Sequence, residues 1–205
     1  MQRFFLLFVY TIVLKMENEN LDVRDLIEEC IRNNRKAQLT LYKQYVKSMY
    51  NTSLRIVKNT VTAEDIVQEA FLSAFRSLKN FRHEVPFSTW LRRIVINKSL
   101  DHIRKQKNSL LEFYNEINDL PDTSGIENID DNSVKKKKLL EHIREEMMLL
   151  PDGYRVIFSL FYFEGYDHEE IGQILNISAS SSRSQLTRAK QRIIKNLQQK
   201  KPNDA

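Results

Sequence analysis

Residues 167–197 read DHEEIGQILNISASSSRSQLTRAKQRIIKNL, and this stretch predicts two short helices around a tight turn. Asp167 and Glu170 have the spacing of a capping box, in which each side chain satisfies a free N–H group at the start of a helix. Asn176 and Ser178 then end that helix and begin the next one. The arrangement is typical of a helix-turn-helix, and the alternative is an ordinary amphipathic hairpin with a solvated basic face.

The second predicted helix has distinct inner and outer sides. At 100° per residue, Ser182, Leu186, Ala189 and Ile193 share the inner side. Small or hydrogen-bonding residues flanked by arginine suit a helix that enters a DNA major groove. On the outer side and its flanks lie Ser180, Ser184, Thr187 and Arg188, with Arg183 and Gln185.

The composition favours a globular, mainly helical protein from a reducing compartment such as the cytosol. The chain has 205 residues, of which 41% are hydrophobic, enough for one large or two small cores. The low content of 4 Gly and 4 Pro, with long stretches of helix formers, argues against a sheet-rich fold that would need many tight turns. The single cysteine, Cys30, excludes an intramolecular disulfide and, beside Leu26 and Ile27, is expected in the core. The net charge of +5 is concentrated in 92–107 and 183–205, which suggests a polyanion contacted twice.

The amino terminus carries an apolar run, Phe4–Leu14, preceded by Arg3. Eleven residues are too few to span a bilayer as a helix. We expect translation to start at Met16, with residues 1–15 a non-native or disordered extension; an amphiphilic anchor is the alternative.

The rest of the chain divides into two helical modules. Residues 16–108 read as four helices, and residues 135–200 form a separate module. Between them, 109–134 contains seven Asp or Glu and no Lys or Arg, which is typical of a flexible linker. The sequence therefore predicts an all-α fold of two small domains joined by an acidic tether.

The third predicted helix begins at Thr62 with Asp65 at the capping position, and it has two stripes. One is apolar and expected to be buried: Ile66, Ala70, Phe71, Ala74 and Leu78. The other, from Asp65 to Arg76, is polar and acidic around Leu72. A leucine within a polar rim is either an anchor for a protein partner or a stray exposed side chain.

The fourth predicted helix, from Ser88 to Lys107, and its lead-in from Phe81 interleave aromatic and basic residues. Aromatic rings can stack on unpaired bases while cations follow the backbone, so the pattern suits a single nucleic-acid strand. Core packing is the alternative reading for each ring and the favoured one for Trp90. His83 and Phe87 are the better candidates for a base contact.

Three segments in this order resemble those of bacterial RNA polymerase sigma factors of the extracytoplasmic-function group in the sigma-70 family. TAEDIVQEAFLSAF at 62–75 is similar to the polymerase-binding helix of the family. PFSTWLRRIVINKSLDHIRKQK at 86–107 resembles the segment that opens and holds the minus-ten element. Residues 149–193 resemble the domain that reads the minus-thirty-five element.

The resemblance implies site residues by position. Those facing the beta-prime clamp helices of polymerase are Asp65, Gln68, Glu69 and Leu72. Those at the downstream element, including a base-capturing loop at 82–87, are Arg82, His83, Phe87, Trp90, Arg93, Asn97, Arg104 and Lys105. Those at the upstream element are Ser181, Arg183, Ser184, Gln185 and Arg188. Ser182 departs from the family, where many members have an inward aliphatic residue; we expect looser packing there or a bond to a carbonyl one turn earlier.

The implied function is non-catalytic. The protein would bind core RNA polymerase at the beta-prime clamp helices and beta flap, recognise promoter DNA and stabilise its melted form, for a stress or envelope-signal regulon. An anti-sigma factor is the expected partner in trans, acting in the cytoplasm or at the inner membrane, and no metal, cofactor or small-molecule substrate is expected. The rivals are a one-component regulator that binds operator DNA without polymerase and a membrane-associated signalling protein resting on Phe4–Leu14.

Overall fold

The computed structural model describes residues 23–106 and 133–199, with side chains in the second range from residue 139 onward, and within them it contains helices and short connections without strands. This confirms the all-α prediction. The apolar extension at 1–15 and almost all of the expected linker lie outside the described residues. In the first module the helices are α1 (23–31), α2 (Arg35–Val57), α3 (Thr60–Ser77), a 3₁₀ turn (Leu78–Asn80) and α4 (Phe87–Gln106); in the second they are α5 (Ser133–Leu149), α6 (Asp152–Tyr162), α7 (His168–Leu175) and α8 (Ala179–Gln199).

Asparagines cap α2 and α3 of the first module. The Asn34 side chain accepts from the N–H groups of Lys36 and Ala37, and the Asn59 side chain accepts from Thr62 at 2.9 Å. The prediction that Asp65 caps the third helix was wrong, because α3 begins at Thr60 and its cap is Asn59, three residues before the predicted start at Thr62. Asp65 is left exposed in the second turn.

The first module is held together by the crossing of α2, α3 and α4. The apolar stripe of α3, from Ile66 to Leu78, is buried as predicted. Where α2 crosses α4, the buried hydroxyls of Ser53 and Ser99 lie 3.0 Å apart, so small residues allow the two backbones to approach closely. Cys30 on α1 is buried in this core, and burial raises the pKa of its thiol to about 11.

The second module contains the helix-turn-helix predicted for 167–197. The capping box is present, with Glu170 N–H donating to Asp167 and Asp167 N–H donating to the Glu170 carboxylate. Asn176 ends α7 in the left-handed conformation, with φ of 60°. The turn is so tight that a Cβ on Gly172 would lie 2.7 Å from the Ile177 carbonyl oxygen, which explains glycine at that position.

The two modules share one apolar cluster. Ile56 of α2 and the α4 residues Ile96, Leu100 and Ile103 belong to the same buried cluster as α6 and the helix-turn-helix. Helix α2 thus packs on its own module over its first half and on α6 near its end. Periodicity alone predicted two separate cores joined only by a linker. No helix in the described ranges is long and apolar enough to cross a membrane.

Candidate protein and nucleic-acid interfaces

The polar stripe of α3 forms an exposed acidic surface. Asp65, Gln68 and Glu69 are exposed, and Leu72 among them is 56% exposed. Lys98 of α4 lies 3.5 Å from the Glu69 carboxylate at the edge of this surface. Sequence reasoning missed Val61, which is 66% exposed and, one helical turn before Asp65, extends the same face. The surface therefore presents carboxylates around two apolar side chains.

A cleft of about 230 Å³ lies between α1 and the loop that precedes α4. Val23, Arg24 and Ile27 form one wall, and the loop from His83 to Phe87, together with Phe81, forms the other. His83 has a φ of 58°, a conformation that non-glycine residues rarely adopt, and its ring lies 4.5 Å from that of Phe81. The participation of α1 could not be anticipated, because only the tertiary fold brings residues 23–27 to this loop.

The aromatic residues beside the loop are mainly structural. Phe87 is only 4% exposed and contacts Tyr45 and Phe81 edge-on, so the expectation that it is available to an unpaired base was wrong. Sequence periodicity could not show that Tyr45 of α2 covers the first turn of α4. Trp90 is half-buried against Phe81 and Phe87, in agreement with the core reading.

Helix α4 presents a basic and polar face beyond this aromatic group. Arg93 and Asn97 lie on one face and are exposed, and Lys105 is exposed near the end of the helix. Arg104 shares the face of Asn97 but is half-buried, with Nη1 3.3 Å from the Asp101 carboxylate. Arg82, in the loop, is exposed and lies 3.9 Å from Glu84. These residues form an open strip of positive charge whose far end reaches the second module.

The inner side of α8 is buried as predicted, and Ser182 has an unexpected partner there. Its hydroxyl lies 2.9 Å from Nδ1 of His168, the first residue of α7, and the imidazole stacks on Phe161. The expected bond to a carbonyl one turn earlier is replaced by this contact with a histidine of the preceding helix, and the expectation of looser packing stays a prediction. A polar pair therefore fixes α8 relative to α7.

The outer side of α8 is largely open to solvent. Arg183 and Ser184 are exposed, with Arg183 3.4 Å from Glu169, while Ser181 and Arg188 are half-buried. Gln185 is 4% exposed and donates to the Ser181 hydroxyl at 3.1 Å. The expectation that Gln185 lies on the outer flank was wrong, since it sits only one turn from Ser182 and Ala189 on the buried side.

Comparison with known proteins identifies the family. The family model described as Sigma-70 region 2 matches residues 41–109, and the one described as Sigma-70, region 4 matches residues 140–193. The chain is an extracytoplasmic-function sigma factor of the sigma-70 family. As such it binds core RNA polymerase and directs promoter recognition in transcription initiation, and the one-component regulator is not favoured.

Individual relatives agree with this assignment. The chain is 28% identical to ECF RNA polymerase sigma factor SigW of Bacillus subtilis over 186 residues, covering 85% of this chain and 96% of that protein. It is 29% identical to RNA polymerase sigma-H factor of Pseudomonas aeruginosa over 184 residues, covering 85% and 93%. The fold resembles that of CnrH in complex with the cytosolic domain of CnrY, with a TM-score of 0.51, 20% identity and coverage of 86% and 97%.

Among the described residues, no group of three or more His, Cys, Asp or Glu side chains is placed to hold a metal ion.

Proposed function

We propose that this sigma factor uses the three surfaces described above for three separate contacts: α3 for polymerase, the cleft and α4 for the downstream element, and α8 for the upstream element. It acts without catalysing a reaction, by binding melted DNA more tightly than duplex and so shifting the opening equilibrium. We assign residues 16–108 to polymerase binding and to recognition and melting of the downstream element, 109–134 to the tether and 135–200 to recognition of the upstream element, with the cytoplasm as the compartment. The exposed acidic face of α3 is the single observation that carries this proposal.

The α3 surface is proposed to contact the beta-prime clamp helices. Leu72 and Val61 supply apolar anchors, and Asp65, Gln68 and Glu69 supply the polar rim that interfaces commonly have. Positive charge on the partner would increase the rate of association and fix how the two surfaces align.

The test replaces both Asp65 and Glu69 by Lys. We expect core-polymerase affinity to fall by about tenfold or more, because like charges would then face each other. The control is Glu28→Lys, since Glu28 is an exposed glutamate of the same module that lies on α1 and not on α3. Affinity is measured with purified core polymerase, and helicity by circular dichroism. Normal affinity of the double variant would refute the assignment of this face.

The cleft between α1 and the loop is proposed to receive an unpaired base of the downstream element. The strained backbone at His83 holds its ring beside Phe81 at the cleft wall, where it can stack on a base. Arg82, Arg93 and Asn97 would follow the strand beyond it, with Lys105 and Arg104 at the far end. Phe87 and Trp90 support the wall from within the core.

The upstream element is proposed to meet the outer side of α8 through Ser181, Arg183, Ser184 and Arg188. Gln185 joins them only if its amide rotates outward. The amide oxygen is buried and accepts no hydrogen bond from the described residues, so rotation forfeits only the bond to Ser181. An amide that rotates outward can pair with adenine through two hydrogen bonds.

A promoter library transcribed by holoenzyme separates the two DNA assignments. We expect Arg183→Ala to relax preference at particular upstream positions, by roughly 1–3 kcal/mol at the affected base. Asn97→Ala should instead impair strand opening and downstream preference. Lys195→Ala, an exposed lysine further along α8, should weaken binding evenly and reduce the salt slope by about one. A uniform loss with Arg183→Ala would show that α8 is not oriented as proposed.

A regulatory protein partner is also proposed. Two solved structures of similar fold are CnrH with the cytosolic domain of CnrY and RpoE of Bartonella quintana with the anti-sigma factor NepR, the latter at 18% identity and a TM-score of 0.52. We infer an anti-sigma factor for this chain too, which would hold it at the inner membrane if that partner is membrane-bound. Affinity purification from uninduced cells should recover a partner whose addition blocks core-polymerase binding, and a protein without such an effect would count against it.

A further inference from the structure

Arg155 of α6 is a buried charge that reaches into the other module. It is 1% exposed, yet its guanidinium donates to the backbone carbonyls of Arg55 and Ile56 at 3.0 and 2.9 Å. Those carbonyls belong to the last turn of α2, where helix carbonyls have no partner within the helix. Within its own module, Arg155 also donates to the Leu150 carbonyl and to the Asp152 carboxylate. The end of α2 is therefore capped by a residue about 100 positions later in the chain.

Glu164 makes the reciprocal contact from the loop after α6. Its side chain is 2% exposed and lies among residues of the first module. One carboxylate oxygen accepts from Thr52 at 2.9 Å and from Arg55 at 2.5 Å, and the other lies 3.0 Å from Nε of Arg92. The Arg92 contact is a close ion pair whose angle is too bent for a hydrogen bond. The Arg55 guanidinium also lies 4.7 Å from the centre of the Phe163 ring.

These charges lie beside the shared apolar cluster, to which the first module contributes Ile56, Ile96, Leu100 and Ile103. Burying a carboxylate and a guanidinium costs several kcal/mol each unless both are paired, so the modules fit together in this one register and few others. The contact also reaches the DNA-facing strip of α4. Arg104 Nη2 donates to the Ile174 carbonyl oxygen at 3.4 Å.

Two packed modules are too close together to read both promoter elements. A module of this size has a radius of gyration of about 11 Å, which puts the centres of two packed modules about 28 Å apart. Elements at minus ten and minus thirty-five are about 25 base pairs apart, on the order of 85 Å along B-form DNA. The connection at 107–132 can span at most about 90 Å when fully extended, so the covalent chain permits that separation.

We propose that Arg155 and Glu164, with their partners Arg55 and Arg92, form a latch that holds the free protein closed and must open before both modules occupy their sites on polymerase and promoter. This inference rests on the proposed function. When only a fraction of the free protein is open, its apparent affinity for core polymerase is reduced in proportion to that fraction. The latch therefore lowers this affinity until it is released. The ligand that opens it is polymerase itself, because polymerase binds the two modules apart and so favours the open state.

The test measures the separation of the modules by energy transfer in the full chain. Fluorophores are placed on Lys79→Cys in the first module and Gln198→Cys in the second, both exposed positions, while Cys30 stays unlabelled because it is buried. The opening variant is Glu164→Gln, which leaves Arg55 and Arg92 facing each other without a carboxylate, and Glu164→Lys strengthens the effect. The matched control is Glu145→Gln on α5, an exposed glutamate of the same module.

We expect Glu164→Gln to lower transfer by shifting the closed-to-open ratio about tenfold, with Glu164→Lys shifting it further and Glu145→Gln leaving it unchanged. Core-polymerase affinity should tighten with opening, and adding core polymerase to the unsubstituted protein should itself lower transfer. Unchanged transfer in both Glu164 variants, unchanged affinity in an opened variant, or high transfer in promoter-bound holoenzyme would each overturn the latch. Failure of the proposed function gives a different result, since the double Lys variant of Asp65 and Glu69 would then bind core polymerase with normal affinity whatever the Glu164 variants do.

Discussion

Replacing Arg155 with methionine should split a single unfolding transition into two. Methionine keeps the apolar stem but removes the guanidinium, so the carbonyls of Arg55 and Ile56 lose their donors. Two hydrogen bonds from a charged group contribute about 1.5–3 kcal/mol each, which gives about 3–6 kcal/mol across the interface. The desolvation of Arg155 is relieved at the same time, so we expect a net loss of about 3–5 kcal/mol.

Trp90, the only tryptophan, makes this loss measurable module by module. It lies in the first module, half-buried against Phe81 and Phe87, so its fluorescence follows that module alone. Circular dichroism follows the helices of both. In urea the two signals should coincide for the unsubstituted protein, because the shared cluster makes the modules unfold together. In Arg155→Met the dichroism should begin to fall about 1.5–2.5 M earlier than the fluorescence, for an m-value of about 2 kcal/mol/M.

Arg144→Met is the matched control, because Arg144 is an exposed arginine on α5 of the same module. Its two signals should stay together with an unchanged midpoint. Coincident signals at an unchanged midpoint in Arg155→Met would refute the reasoning, since they would show that the buried guanidinium does not join the modules.

Three further predictions concern the helix-turn-helix and α1. Gly172→Ala should destabilise the protein by about 1–3 kcal/mol in thermal unfolding, because the new Cβ would lie 2.7 Å from the Ile177 carbonyl oxygen; an unchanged Tm would contradict this. Ser182→Ala should leave His168 Nδ1 without its partner and broaden upstream promoter preference in the transcribed library, whereas Ser182→Thr keeps a hydroxyl and should retain it; equal preference in both variants would contradict the positioning role. Cys30, whose thiol pKa is raised to about 11, should react slowly with iodoacetamide near pH 8 and faster as the pH approaches that value or in urea, as followed by mass spectrometry; equal rates in native and unfolded protein would contradict its burial.

Local chemistry predicted the helices and the turn well. Asp167 with Glu170 and the periodic apolar residues of α3 depend on neighbours within one helical turn, and these signals are visible in the sequence. The cap of α3 was misassigned because Asn59 and Asp65 are both suitable capping residues and only the path of the chain selects between them.

Long-range packing could not be predicted in the same way. Arg155 stands in an apolar helix where periodicity gives no reason to bury a charge, and its acceptors lie about 100 residues earlier. Phe87 and Gln185 were expected to be accessible because each is near an exposed face, whereas their burial depends on Tyr45 and on the inner side of α8. The composition of the candidate surfaces followed from the sequence, and the availability of each side chain required the fold.

The apolar side chains that α4 contributes to the shared cluster have a consequence for synthesis of the chain. Ile96, Leu100 and Ile103 are covered by α6, which is synthesised about 60 residues later, and by the helix-turn-helix, which is complete only after about a hundred residues. At about 5–20 residues per second, these side chains are exposed to water for roughly 5–20 s on each new molecule. During that interval the nascent chain exposes an apolar helix face that a chaperone can bind and that can cause aggregation. The yield of active protein should therefore depend on the speed of translation downstream of α4.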